Sequence, residues 1–178
     1  MLRFLSEDNI LMHKEYVRTK KLRYSILEKS IPGLSGKNVN EVIAMRLTPR
    51  DKSDALDLLS DISLHELFFD SFCDTQYGAS AMVRKSYGAD GSFLNELYKN
   101  CLDLEYGFAV VTYTGRGVCI YAAKDYIPVF ELGTPILAVD VCEHSYFSDY
   151  GFAKDKYLIN ALPYLDVSKI DKIAGQNL

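Results

Sequence analysis

The sequence contains three histidines, His13, His65 and His144. The last stands four residues after a carboxylate, in the run D-V-C-E-H that spans Asp140 to His144. That run closes the apolar stretch P-I-L-A-V-D-V, which reads as a buried strand, and His65 sits inside the equally apolar L-H-E-L-F-F. Taken singly, each group has a plain reading. A helical histidine is usually a surface or hydrogen-bonded residue, and an Asp after a strand is usually a turn or cap residue. Taken together, their apolar flanks predict burial, and a buried imidazole or carboxylate needs a partner. Three neutral imidazoles and one carboxylate make a mixed nitrogen and oxygen set suited to zinc, iron or manganese.

The elements that would position these groups follow from periodicity. Residues 6–30 read as a helix, with Ser6 as N-cap and Glu7 and Asp8 in the first turn, where the helix dipole favours acid. I-P-G-L-S-G-K-N (31–38) breaks it, and a short helix follows. Thr48-Pro49 opens a longer helix over about 50–73. These predict an antiparallel helical hairpin over residues 1–75, with Q-Y-G-A-S (76–80) separating it from the rest. Helices are expected near 79–87 and 91–104. G-F-A-V-V-T-Y and G-V-C-I-Y-A-A then flank T-G-R-G, a hairpin signal, and P-I-L-A-V-D-V supplies a third strand. Helices resume at 146–162, closed by Pro163, and at 166–174. The fold class is α+β: a helical hairpin domain (1–75), then an α/β domain (76–178) with a three-stranded antiparallel sheet.

Composition narrows the function classes. A formal net charge of -4 argues against general nucleic-acid binding, which wants a basic patch. The start M-L-R-F-L-S-E-D-N is too short and too soon acidic to read as a secretory signal, and no apolar run has membrane-spanning length. Cys73, Cys101, Cys119 and Cys142 are scattered without a C-x-x-C pair, which fits reduced thiols and a cytoplasmic setting. There is no tryptophan, against 13 tyrosines.

The stretch T-P-I-L-A-V-D-V-C-E-H-S-Y-F-S-D-Y-G-F-A-K-D-K-Y resembles the C-terminal signature of the iron/manganese superoxide dismutases, with its D-V-W-E-H-A-Y-Y-type run. L-H-E-L-F-F resembles that family's N-H-x-x-Y/F-W segment, and S-E-D-N-I-L-M-H its opening K-E-T-M-E-x-H run. R-K-S-Y-G-A-D-G-S-F-L-N-E-L and Y-G-F-A-V-V also track the family. The resemblance implies one iron or manganese ion per subunit, held by His13, His65, Asp140 and His144, and superoxide as substrate. It implies a homodimer through the Glu143 region. A second register remains open: H-K-E-Y-V (13–17) also resembles a later family run, H-x-T-Y-V. In that register Tyr16 is the gateway tyrosine and Asp8 falls at the ligand position. The first register completes the site and is adopted here.

Departures from the family concentrate around the implied metal. The gateway tyrosine becomes Lys21. The family's interface pair of His and Tyr becomes Val17 and Phe147. The tryptophans become Phe108 and Cys142. The outer-sphere Gln is missing from both of its usual places: Asp61 occupies one, and Lys124 or Asp125 the other. Asp61 and Lys124 are expected to pair in the volume the amide would fill, and Lys21 and Lys124 to steer an anion inward. Such neighbours set the potential of a metal and the pKa of its solvent. Two functions are therefore carried forward: superoxide dismutation at an Fe or Mn site, or a metal-binding or scaffold protein of the same fold with weak or altered redox activity.

Overall fold

A computed structural model of the chain describes residues 2–74 and 79–176. Helix α1 (Glu7–Ser30) starts where the Ser6 side chain accepts a hydrogen bond from the Asn9 N–H. Helix α2 (Val39–Ala44) opens with a reciprocal capping box between Asn38 and Glu41. Helix α3 (Pro49–Asp70) is capped by Thr48, and Pro49 sits in the first turn, where its missing N–H costs nothing. α1 and α3 run antiparallel, with His13 beside Phe69 at one end and Lys20 reaching Asp61 further along. Tyr24, Ile31, Leu34, Val42, Leu56 and Ile62 form a small core beneath this pair.

The second region begins with α4 (Ala81–Tyr87) and α5 (Asp90–Asp103). Strands β1 (Phe108–Tyr113) and β2 (Val118–Ala123) form the hairpin, with Gly115 at φ +84° in the turn. Strand β3 (Thr134–Asp140) pairs antiparallel with the other edge of β1, giving the order β2-β1-β3. All six residues of the central strand are buried. Leu64 and Phe68 of α3 share one core with Phe93, Leu97, Val110 and Leu137, so the first region packs directly onto the sheet. The architecture is the α+β arrangement expected. The division expected between residues 75 and 76 lies outside the described residues.

Two elements differ from expectation. The helices expected over 146–162 are α7 (Glu143–Tyr150), which starts earlier than expected, and α8 (Lys154–Ala161). Gly151 ends the first at φ +55°, a conformation that stops helical propagation. A short helix, α6 (Ile127–Leu132), also intervenes between β2 and β3 where no helix was expected. Its six residues, with Pro128 in the first turn, are too few to display a helical period. The last helix, α9 (Ser168–Gln176), sends Asp171 back to the start of α4, where it accepts from Ala81 N–H, Met82 N–H and Ser80 Oγ–H. Among the described residues, no helix is long and apolar enough to cross a membrane.

Candidate metal centre

Four elements deliver the four expected groups to one point. α1 carries His13, α3 carries His65, β3 ends on Asp140, and the first turn of α7 carries His144. The turn at the end of β3 is held tightly. Asp140 Oδ1 accepts the Cys142 N–H at 2.8 Å, its backbone carbonyl accepts the Tyr157 hydroxyl at 2.9 Å, and the Val141 N–H donates to the Gly107 carbonyl at 2.9 Å. Gly107 is required there: at φ +109° a side chain is disfavoured, and a Cβ would lie 2.1 Å from the Ala123 carbonyl oxygen.

With Oδ1 fixed, Asp140 Oδ2 faces inward. It lies 3.2 Å from His13 Nε2, 3.2 Å from His144 Nε2 and 3.5 Å from His65 Nε2. The nitrogens of His65 and His144 are themselves 3.2 Å apart, and one ligand atom from each of the four residues lies within 4.8 Å of the others. Despite these separations, Asp140 Oδ2 and His13 Nε2 have no hydrogen-bond partner among the described residues. They are close without meeting hydrogen-bond geometry. The His13 ring stands edge-on to the other two, at 86° to His65 and 80° to His144. A buried carboxylate oxygen surrounded by imidazole nitrogens without a hydrogen bond is costly unless a cation fills the space between them. The donor set fits iron or manganese.

Protonation follows from the same contacts. The His65 Nδ1–H donates to the Asp61 carbonyl at 2.7 Å and faces Asp61 Oδ1 at 3.1 Å, which leaves Nε2 with its lone pair toward the centre. Burial lowers the His13 pKa and outweighs the pull of Asp140, so this imidazole is neutral and ready to ligate. Burial acts to raise the Asp140 carboxyl, but His13 and His144 overcome it and hold the group well below the usual carboxylate range. Burial also acts against protonation of His65, yet Asp61 and Asp140 raise its pKa. His13, His65 and Asp140 are almost fully buried, whereas the His144 side chain is 34% exposed. An aromatic wall surrounds the centre: Phe68 and Phe69 against His13, and Phe108 against His65. The missing tryptophans are thus replaced by smaller rings and by Cys142, whose sulfur accepts the Gly107 N–H.

The outer groups are arranged differently from expectation. It is His13, and not the exposed Asp8, that faces the other three groups. Lys21 lies on the outside, 2.6 Å from Glu66, with both side chains about half exposed. Tyr16 and Lys20 are at the centre in its stead. The Tyr16 ring stacks on His144 at 4.7 Å between centroids, and Lys20 Nζ lies 2.8 Å from Asp61 Oδ2. Helical geometry explains the difference. At about 100° per residue, Lys20 falls about 20° from the direction of His13, whereas Lys21 falls about 80° away. That periodicity was available in the sequence and could have identified Lys20. The expected pairing of Asp61 with Lys124 does not form, because Asp61 is taken by Lys20 and Lys124 lies 3.5 Å from Glu105 and over the Tyr106 ring. The Asp125 carboxylate accepts the Ile127 N–H at the start of α6. Lys124 and Asp125 nevertheless line, with Tyr16, Lys20, Asp61 and Tyr126, a cleft of about 280 Å³. Tyr126 was not anticipated; its ring packs edge-on to Phe108 at 5.3 Å. A larger, mostly apolar groove of about 480 Å³ along α1 is lined by Leu2, Ile10, Leu11 and Phe72, with Glu7 and Lys14 at its polar side.

Comparison with known proteins agrees with this geometry. Residues 76–173, more than half of the chain, match the family model for iron/manganese superoxide dismutases, C-terminal domain. A curated relative, the superoxide dismutase [Fe] of Cupriavidus metallidurans, is 30% identical over 114 residues. That alignment covers 60% of this chain and 58% of the relative.

Proposed function

Because this chain belongs to the iron/manganese superoxide dismutases, we propose that it is an oxidoreductase that converts superoxide to oxygen and hydrogen peroxide at one iron or manganese ion. His13, His65, Asp140 and His144 would hold that ion. The observation that supports this most is the convergence of three imidazoles on a buried carboxylate oxygen that has no hydrogen-bond partner. Such an ion would supply one-electron redox chemistry, with which two superoxide anions and two protons would give one oxygen and one hydrogen peroxide.

The residues of the chain define how this proceeds. His13, His65 and Asp140 are closed off by the aromatic wall, which keeps bulk water from the inner side of the centre. The approach is left to the cleft beside Tyr16 and Tyr126, where Lys20 and Lys124 stand among the carboxylates of Asp57, Asp61 and Asp125. Protons reach the cleft from solvent, and the hydroxyl of Tyr16, which donates to Asp61 Oδ2 at 3.4 Å, stands at its inner end. Asp61 stands at a sequence position where, by resemblance, the family carries an amide, and Lys20 and Tyr16 face it.

That substitution favours a second reading, a metal protein of this fold with weak or altered redox activity. One experiment separates the two. The purified protein is loaded with iron or with manganese, its metal content is measured, and superoxide decay is followed. One equivalent of metal and fast decay with at least one ion supports dismutation. One equivalent with negligible decay supports the second reading, and absence of tight metal binding contradicts both. We further propose a homodimer that covers His144 through the Glu143 region, and a reducing, cytoplasmic setting in keeping with the free thiols of Cys101, Cys119 and Cys142.

A further inference from the structure

Asp61 is only 5% exposed, and its carboxylate is fully engaged. Oδ1 lies 3.1 Å from His65 Nδ1, and Oδ2 lies 2.8 Å from Lys20 Nζ and 3.4 Å from the Tyr16 hydroxyl. Lys20 is held from a second side, with its ammonium 4.9 Å from the centroid of the Tyr16 ring. Tyr16 in turn stacks on His144. One cation therefore reaches two of the four ligating groups, each through a single intermediate: His65 through Asp61, and His144 through Tyr16. The charges also balance. With neutral imidazoles, Asp140 contributes one negative charge, and the Lys20–Asp61 pair contributes none in total. A neutral amide at position 61 without a lysine would leave the same sum.

We propose that Lys20 and Asp61 form one charge-compensated positioning unit that sets the electron and anion affinity of the metal centre. The unit replaces a single neutral amide by an ion pair divided between α1 and α3. This rests on the metal-centre reading of the preceding section. The negative charge of the Asp61 carboxylate, 3.1 Å from His65 Nδ1, favours the higher oxidation state of a bound ion and disfavours a second anion. Lys20 withdraws that effect by holding the same carboxylate from its other oxygen. Because the contributions oppose, removing either partner shifts the centre in opposite directions, and removing both restores it. A role confined to packing α1 against α3 gives no such sign reversal, since every variant would then move stability and leave the centre alone.

The test uses the full chain loaded with iron, in the wild type and in Asp61→Asn, Lys20→Met and the double variant. Metal content, midpoint potential and the affinity of the oxidised protein for azide are measured for each. Asp61→Asn is expected to raise the potential and tighten azide by roughly tenfold, the scale of a unit charge acting across a partly solvated site. Lys20→Met is expected to lower the potential and weaken azide by a similar factor. The double variant returns close to the wild type, and Lys20→Arg, which keeps the charge, follows the wild-type potential. Asp61→Asn is nearly isosteric, so its upward shift decides the matter even if Lys20→Met does not fold. Stoichiometric metal in all variants, with shifts that are absent or of one sign, overturns this inference and leaves the metal-centre reading standing. Failure of the wild type to hold iron overturns both.

Discussion

At the scale of single residues, the centre is a set of groups that are costly apart and useful together. Asp140 is buried with one oxygen satisfied by the Cys142 N–H and the other without a hydrogen-bond partner among the described residues. Asp61 shows the same logic one layer out, and it carries a pH dependence. Burial acts to raise its carboxyl, but His65 and Lys20 outweigh burial and lower it below the ordinary value of 3.8. The folded state then binds fewer protons than the unfolded state over the interval between the two values. Stability from this group is therefore full above the ordinary carboxylate range and is lost as pH falls through the folded value. The metal-free Asp61→Asn protein is expected to be less stable than the wild type at neutral pH by roughly 1–2 kcal/mol, since Lys20 is partly exposed and can turn to water. Denaturant titrations across acidic pH check this: the difference should shrink toward zero as the pH drops, and a constant difference contradicts it. His65, Asp140 and His144 were marked out by residue type and apolar flanks, and His13 by resemblance to the family's opening run. Lys20 was missed because an alignment position was followed where the helical angle points elsewhere.

At the scale of elements, the centre depends on the register between α3, which carries His65, and β3, which carries Asp140. Ser71 ties them. Its hydroxyl donates to the Leu67 carbonyl at 2.6 Å and accepts the Ala138 N–H at 2.7 Å, and the residue is fully buried. Ser71→Ala leaves a buried N–H on β3 unsatisfied, which costs about 2 kcal/mol. It is also expected to weaken metal affinity, because α3 can then slide against the strand. Equilibrium unfolding and metal titration of the variant check both effects; unchanged metal affinity would show that the sheet alone fixes Asp140. Long elements with clear periods were readable in advance: α1, α3 and the three strands lie where apolar spacing and caps put them. Of the short ones, α2, α4 and α9 were expected and α6 was not, because six residues are too few for an apolar spacing to repeat.

At the scale of the whole molecule, the chain leaves one of the four proposed ligands near its surface. His144 is 34% exposed, Glu143 beside it is exposed, and the rings of Phe147 and Phe152 meet edge-on at 5.1 Å while remaining 43% and 90% exposed. Such an apolar patch is suited to a second copy of the chain. Sedimentation is expected to give twice the 20.1 kDa chain mass, and Phe147→Glu to restore the single mass. A monomer at every concentration contradicts the dimer. The packing of α3 onto the sheet explains why groups so distant in sequence can share one ion: the helical region and the α/β region meet along the core that Leu64 and Phe68 enter.

Crystals of the metal-loaded protein, with anomalous diffraction recorded at the iron and manganese edges, test the central claim most directly. The expected result is one strong peak between His13, His65, Asp140 and His144, about 2.0–2.2 Å from three imidazole nitrogens and one carboxylate oxygen. A peak elsewhere, or a centre in which His13 turns away from the ion, would contradict it.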